Sequence, residues 1–567
     1  MLRFTPRLLR GGTFATALPV STRALSSANQ TSMLLNGART FRTQSAQIPS
    51  QLSRGKGLWG VAAIGFTSAL MYTTLTSGSI LNETAEEEGD YIQGEWPSIS
   101  RCMGLGSNAH GLLGEHAVKD GPTRQAVPIS FLDGKPLRSM SLSESHGAAV
   151  DANGDLIQWG KGHWVEEDEG TRGLDEAIYT YSITPRGDLV SVGTSQDKVY
   201  GLSKDGRVFV IAASRKQQQL DGHVSQDTSA APTQSWGQWI RGVKKVDTSS
   251  FREVCLETPM KGERVRQLAV GQHHVLALTT HGRVFSCPAD AFGNRFGQLG
   301  RGDILPVGKE GEDGTAAFAT RFSLIPEQGA DVEEVACGYA HSISRTKDGR
   351  AWAWGANGWG QLGQGDYSEG LLTLASPTEI RRLKDRVVRV VAGGLNSLFL
   401  TISPTAYQPE YALWACGMGQ WGTLGNGTYG HMQGVPVKIK ALSHLKEYSE
   451  AKKQVVPILP KKLHLGYHHA ATTLDVSVDS DADKGVTYGT DLLLWGHNMN
   501  GECGNGKKNN LATPVYAQRI AELGGIQGSS RLQLAPPRRV GEYQVEGAIA
   551  LGKGVTIFYD QIIPSTS

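Results

Sequence analysis

Four histidines recur in one sequence setting: His146, His274, His341 and His469 each close a short apolar run and open another. Imidazole is the commonest metal ligand and the side chain best suited to acid–base work near neutral pH. A ring of four imidazoles around a central channel would hold a metal. The alternative is that each ring ties the backbone inside its own repeat. Gln196 and Asn396 stand in the same register, and both hydrogen-bond as histidine does. A metal ring does not tolerate such replacements, so the register reads as structural. Two pairs, His273-His274 and His468-His469, offer adjacent ligands. Neighbours on a strand face opposite sides, which keeps such a pair from one ion.

Other chemistry is weaker still. The string Gly355 to Gly363 has the glycine density of a phosphate loop, but no helix with Lys-Ser or Lys-Thr follows it. Six cysteines (Cys102, Cys255, Cys287, Cys337, Cys416, Cys503) form no C-x-x-C pair, which argues against a disulfide framework or a zinc site. No Ser-His-Asp set or paired carboxylate stands out. The acid cluster Glu166-Glu167-Asp168-Glu169 and the basic run Arg381-Arg382-Leu383-Lys384 read as solvated faces, or else as partner-binding edges. The expectation is a chain without catalytic, metal or cofactor residues, and not an enzyme.

The elements that carry these residues repeat. Val332 to Asp366 is the clearest unit: a β-type run to Gly338, then His341, a second run to a Lys347-Asp348-Gly349 turn, a third ending at Trp354-Gly355, and the loop Gly360-Gln361-Leu362-Gly363. One unit has too little apolar surface to fold alone, so copies must exist. Met140–Trp164 has His146, an Asn153-Gly154 turn and Trp159-Gly160. Leu189–Ile211 has Gly193, Gln196 and Asp205-Gly206. Val265–Asp303 has Gly271, His274, His281-Gly282 and Gly297 to Gly300. Val387–Thr428 has Asn396, Cys416-Gly417 and Gly422 to Gly425, and Leu463–Gly506 has His469, Trp495-Gly496 and Gly501 to Gly504. Cys102–Leu132 holds only the second half of a unit (Leu105-Gly106, Gly111 to Gly114), and Ala548–Tyr559 only the first half, with Val555 in the histidine place. Joined, the two halves make one more unit. A sheet built from both chain ends removes the open edges of the array. The reading is all-β: a seven-bladed β-propeller over residues 96–562, closed by strands from both ends.

The motif Gly-x-x-His, Asp-Gly, Trp-Gly-x-Asn-x-x-Gly-Gln-Leu-Gly resembles the repeat of the regulator of chromosome condensation family, whose fold is a seven-bladed propeller. The match is strong around His274, His341 and His469 and weak around Gln196. Trp-Asp dipeptides are lacking, and Gly-Gln-Leu-Gly belongs to neither the WD nor the kelch pattern. With the N-terminal features below, the chain is similar to fungal mitochondrial members of the family, which are inner-membrane proteins. The family's nuclear founder is a guanine-nucleotide exchange factor, and that activity is the alternative function the resemblance implies.

Charge is distributed unevenly. The chain carries a formal +2, yet residues 1–56 hold eight basic side chains (Arg3, Arg7, Arg10, Arg23, Arg39, Arg42, Arg54, Lys56) and no acid. The remainder has 48 basic against 54 acidic residues, a sign that excludes nucleic-acid binding by bulk electrostatics. An Arg-, Ser- and Thr-rich start without acids is the composition of a mitochondrial transit peptide. Residues 57–80 are uncharged and long enough to cross a bilayer of ~30 Å as one transmembrane helix. Arg54 and Lys56 before it, and Glu83, Glu86, Glu87, Glu88 and Asp90 in the acidic linker 81–95, place the body in the intermembrane space.

The repeats are lengthened by insertions, where partner contacts are expected. Ala212–Glu263 starts Gln-rich and ends strand-like. Lys309–Ala330 reads as a Gly- and acid-rich loop. Ala441–Val456 has Leu442, Leu445 and Tyr448 at helical spacing and reads as a short helix. Asp475–Thr490 reads as a hairpin extension, and Ser529–Val540 carries Pro536-Pro537 and Arg538-Arg539. The leading functional expectation is a membrane-anchored, non-catalytic platform assisting assembly of an inner-membrane respiratory complex such as cytochrome bc1. Its partners would be inner-membrane or intermembrane-space proteins; the alternative would act on a mitochondrial GTPase.

Overall fold

The computed structural model describes residues 95–564 apart from 119–120, 165–180, 225–250, 305–320, 327–330, 366–371, 404–407, 450–452, 476–488 and 527. The transit-peptide and membrane-span assignments, the acid cluster at 166–169 and the 475–490 hairpin extension fall wholly or almost wholly outside these residues. No helix among the described residues is long and apolar enough to cross a membrane.

The unit read from Val332 is an antiparallel sheet of Val332–Cys337, His341–Thr346, Ala351–Ala356 and Thr373–Glu379, in chain order. Its second strand is buried along its whole length because both sheet faces meet neighbouring sheets. The Asp-Gly turn is fixed locally. Gly349 adopts φ +87°, Thr346 N–H donates to Arg350 C=O at 2.9 Å, and the Asp348 carboxylate accepts from Thr346 Oγ1 at 2.5 Å. The same four-strand order recurs from Leu137, Leu189, Val265, Arg386 and Leu459. Core clusters lie between consecutive sheets. One joins Leu398 and Leu413 to Leu493 and Trp495, and continues to Met103 and Phe558.

Both chain ends share one sheet. Cys102–Ser107 pairs antiparallel with Val555–Ile562, from Cys102↔Tyr559 to Gly106↔Val555. Tyr543–Leu551 flanks it on the inside and Pro122–Pro128 on the outside. Buried Asp560 binds the Arg538 guanidinium through both oxygens (2.8 and 2.7 Å) and accepts the Arg101 N–H at 3.0 Å.

The insertions differ from their sequence reading in two places. Ala441–Val456 is not helical beyond a 3₁₀ turn at Lys440–Leu442; Lys446–Ser449 and Gln454–Pro457 form a β-hairpin instead. Leu442 is buried, but Tyr448 and Val455 are exposed, so no apolar face exists for a helix to bury. His444 and Lys453 at positive φ also interrupt the segment. Within Lys309–Ala330, Arg321–Leu324 is a strand, the fourth of the sheet that begins at Val265. The strand character at the end of Ala212–Glu263 holds: Arg252–Glu253 pairs with Val210 and Phe209, and Cys255–Leu256 runs parallel to Arg321–Leu324. That insertion begins with a helix, Arg215–Val224. Arg381, Arg382 and Lys384 are exposed in a turn.

Candidate functional site

Three of the four recurrent histidines, His274, His341 and His469, form joints between sheets. His274 Nε2 meets Ser342 Oγ at 2.8 Å on the next sheet, and Ser342 donates to Gln298 C=O at 3.0 Å. The same carbonyl accepts Trp354 Nε1 at 3.0 Å. His341 repeats this through Ser397 (3.0 Å) to Gln361 C=O (2.6 Å), with the Cys416 thiol in the Trp place at 3.4 Å. His469 repeats it through Thr556 (3.0 Å) to Glu502 C=O (2.7 Å). Trp159 and Trp495 likewise donate to Leu112 C=O and Thr423 C=O. The imidazoles therefore tie one sheet to the next, and not the backbone of their own repeat as the sequence suggested.

Glycine makes room for the rings: a Cβ on Gly338 would lie 2.1 Å from His341 Cε1. Each relay hydroxyl spends its proton on a carbonyl, so the histidine must be the Nε2–H tautomer. The bare Nδ1 atoms of His274, His341 and His469 are buried without partners. Burial holds these rings neutral, with pKa values lowered to about 3, 4 and 4. His146 is buried too, with both ring nitrogens unpartnered, and burial lowers it to about 3. Ser397→Ala should strand the His341 N–H and remove a donor from Gln361. We expect a loss of ~1–3 kcal/mol in urea unfolding, with the fold retained.

One register assignment changes. Asn396 keeps its place and is buried, but its amide donates to Met418 C=O in its own sheet at 2.6 Å. Gln196 is not in the register. Ser195 N–H donates to Lys198 C=O as Gly271 N–H donates to His274 C=O, so Lys198 is the equivalent residue. Its buried ammonium donates to Ala289 C=O on the next sheet. The adjacent histidines do face apart: His273 Nδ1 contacts Asp290 Oδ2 at 2.6 Å, away from the His274 relay.

The Gly-rich turns spend much of their backbone N–H on their own side chains and carbonyls. Asn357 Oδ1 accepts Leu362 N–H at 3.1 Å and Gln361 Oε1 accepts Trp359 N–H at 2.8 Å; Asn294 and Gln298 repeat both bonds.

What the repeats do not share lies at the channel. The first strands of the successive sheets line a cavity of about 480 Å³. At one mouth stand the residues two before each register position: Glu144, Gln196, Gln272, Tyr339, Gly394, Tyr467 and Lys553. Gln272 Nε2 donates to Gln196 Oε1. Lys553 Nζ lies 2.5 Å from Glu144 Oε1 and 5.2 Å from the Tyr467 ring centroid. Tyr339 and Tyr467 meet edge to face at 5.9 Å across Gly394, where a Cβ would lie 2.0 Å from Tyr467 C=O. Burial pushes the Tyr467 phenol up to about 12.

Among the described residues, aromatic contacts continue outward from the Tyr339 and Tyr467 side. His273 packs on Tyr339 at 4.8 Å, Tyr467 on His468 at 4.4 Å, and His468 on Trp421 at 4.1 Å. His497 packs on Trp421 and is oriented through Nδ1 by the buried Glu502 carboxylate. Trp359 packs on His431 at 4.9 Å. The opposite side of the mouth holds the Lys553–Glu144 pair and the glutamines. None of the mouth residues except Gln196 was singled out by sequence, because their types differ from copy to copy.

Residues 348–400 match the description "Regulator of chromosome condensation (RCC1) repeat", and residues 332–361 match a second description of the same repeat. "Protein FMP25, mitochondrial" of Saccharomyces cerevisiae is 25% identical over 426 residues, covering 70% of this chain and 64% of the relative. "RCC1 domain-containing protein RUG3, mitochondrial" of Arabidopsis thaliana is 25% identical over 273 residues, covering 47% and 52%. The chain therefore spans less than two thirds of the length of either relative. Among solved structures, yeast RCC1 (Prp20), determined with Kap60 bound, superposes with a TM-score of 0.52 at 17% identity, covering 85% of this chain and 96% of that one. Human WBSCR16 gives 0.50 at 15% identity, covering 82% and 100%. At such identities the likeness is one of fold. The chain carries regulator of chromosome condensation repeats and resembles the fungal mitochondrial members of that family.

Proposed function

We propose that this chain is a seven-bladed propeller that serves as a non-catalytic protein-interaction platform in mitochondria and assists assembly of an inner-membrane respiratory complex, such as cytochrome bc1. The observation that carries this reading is the division of labour among residues. The repeated polar groups are consumed structurally, the His–Ser relays in joining sheets and the Asn caps in closing turns. The side chains left for recognition are the unshared ones at the channel mouth, with a half-ring of Tyr, Trp and His. Aromatic side chains of this kind dominate protein–protein binding energy. The mitochondrial names of two relatives support the compartment.

In the same reading, residues 1–56 direct import and residues 57–80 anchor the propeller in the inner membrane, with its body in the intermembrane space. The described chain enters the closing sheet at Cys102, at the end away from the mouth, since Gly106 and Val555 lie at the mouth end. A tether on that side leaves the mouth facing away from it.

Deleting the gene and resolving respiratory complexes on native gels tests the role; complexes unchanged in amount and size would refute it. Protease protection of a C-terminal tag in mitoplasts tests the topology. Acceleration of labelled-GDP release from a mitochondrial GTPase by the purified protein would favour nucleotide exchange instead.

A further inference from the structure

We propose that the channel mouth is a receptor for a lysine side chain, held shut by the chain's own Lys553. The inference rests on the platform reading only for the source of the incoming lysine, a partner protein.

Three groups make the site, and they come from three different β-hairpins. Glu144 precedes Gly147–Asp151, Tyr467 precedes His469–Asp475, and Lys553 lies between Tyr543–Leu551 and Val555–Ile562. Only closure of the ring brings them together. The ammonium sits between an aromatic face at 5.2 Å and a carboxylate oxygen at 2.5 Å. That combination recognises an alkylammonium: the ring quadrupole and the carboxylate attract the same charge from two sides. Tyr339 braces the Tyr467 ring edge-on, with an interplanar angle of 89°. The structure thus shows the mouth already holding the ligand it would take, supplied in cis.

The internal ligand is easily displaced. The Lys553 and Glu144 side chains are 40% and 35% exposed. An ion pair so open to water biases its own closure by no more than about fivefold. Lys553 follows Gly552 and precedes Gly554, the latter at φ +70°, in a two-glycine loop that makes no demand on its side chain. When Lys553 swings out, Glu144 and Tyr467 face a cavity of about 480 Å³ with room for a second aliphatic stem. The other cations seated on rings, such as Lys438 over Trp414, lack this cavity.

The test uses the full-length chain and N-acetyl-lysine methylamide as probe, titrated by calorimetry. Lys553→Ala is expected to bind the probe up to about fivefold more tightly than the unaltered protein, because the competing ammonium is gone. Adding Glu144→Gln or Tyr467→Leu to Lys553→Ala should return binding to the unaltered level or below. The neutral isostere N-acetyl-norleucine methylamide should not bind. Binding by Lys553→Ala no tighter than by the unaltered protein overturns the proposal, and so does equal binding of the norleucine or arginine analogue. Thermal midpoints verify that each variant is folded; if Tyr467→Leu is not, the Glu144→Gln arm decides alone. Failure here leaves the platform reading standing, whereas unchanged respiratory complexes would sink that reading and leave this site untouched.

Discussion

Removal of residues 96–107 should abolish cooperative folding, with the truncated protein eluting as aggregate and showing no sharp thermal transition. The strand Cys102–Ser107 is buried on both sides of its sheet, between Val555–Ile562 and Pro122–Pro128. Its loss strips Val555, Ile557 and Phe558 of their pairing neighbour and exposes the edge of a strand that is otherwise fully covered. Such an edge is a template for intermolecular pairing. Met103 and Leu105 leave the core they share with Leu493 and Trp495, so the damage reaches beyond the closing sheet. Asp560 also loses the Arg101 N–H and keeps only Arg538. Removing a partner from a buried ion pair costs ~3–5 kcal/mol. Asp560→Asn is therefore expected to lower stability strongly while preserving the transition that the truncation destroys. Chemical unfolding and size-exclusion chromatography separate the two outcomes. A truncated protein that stays monomeric with an unchanged thermal midpoint would show that the ends do not close the fold.

The closing sheet was legible because its two halves each keep recognisable pieces of the repeat. Register was legible wherever either the glycine or the histidine kept its place. Near Gln196 the equivalent stretch reads Ser195 to Lys198, with neither residue type in place. Gly193, two residues too early, supplied a false anchor; it is glycine for another reason, since a Cβ there would lie 2.4 Å from Val270 Cγ2. The Ala441–Val456 misreading has a similar cause. A spacing of three between Leu442 and Leu445 fits a helix, but it equally fits a turn that buries one side chain before a hairpin begins. The relays escaped detection because a histidine and its hydroxyl partner are 56 to 87 residues apart. A repeat search locates the His–Ser and His–Thr members separately but does not say that they touch. The channel mouth is hidden more deeply. Comparing copies discards positions that vary, and the residue two before the register is Glu, Gln, Tyr, Gly or Lys in turn. The positions that vary from copy to copy are the ones that distinguish this propeller from others.

Acid should unfold the protein through the relays themselves, well above the range where carboxylates usually titrate. His274, His341 and His469 are neutral in the fold, with pKa values near 3, 4 and 4, while an unfolded histidine protonates near 6.5. The sign follows from linkage. Below pH 6.5 the unfolded chain binds protons that the folded chain refuses, so stability falls as pH drops, until the folded rings also titrate near pH 4. Above pH 6.5 these groups contribute no pH dependence. Within the window each ring costs on the order of 1 kcal/mol per pH unit. Together the three remove about 5 kcal/mol by pH 5, a large part of a stability on the order of 5–15 kcal/mol. Protonation would put a charged N–H at each unpartnered Nδ1, in a place with no acceptor, and the hydroxyl cannot help because its proton is committed to the carbonyl beyond. The test is differential, since carboxylates titrate in the lower part of the window as well. His341→Gln keeps a donor near Ser397 but cannot take up a proton. It should be less stable than the unaltered protein at pH 7.5, by ~1–3 kcal/mol for an imperfect buried hydrogen bond. Its stability should then fall less steeply toward pH 5, by one proton's worth of slope, so that the gap between the two proteins narrows as pH drops. Urea midpoints measured at half-unit intervals read this directly. Parallel pH profiles would mean that His341 does not carry its share of the acid sensitivity.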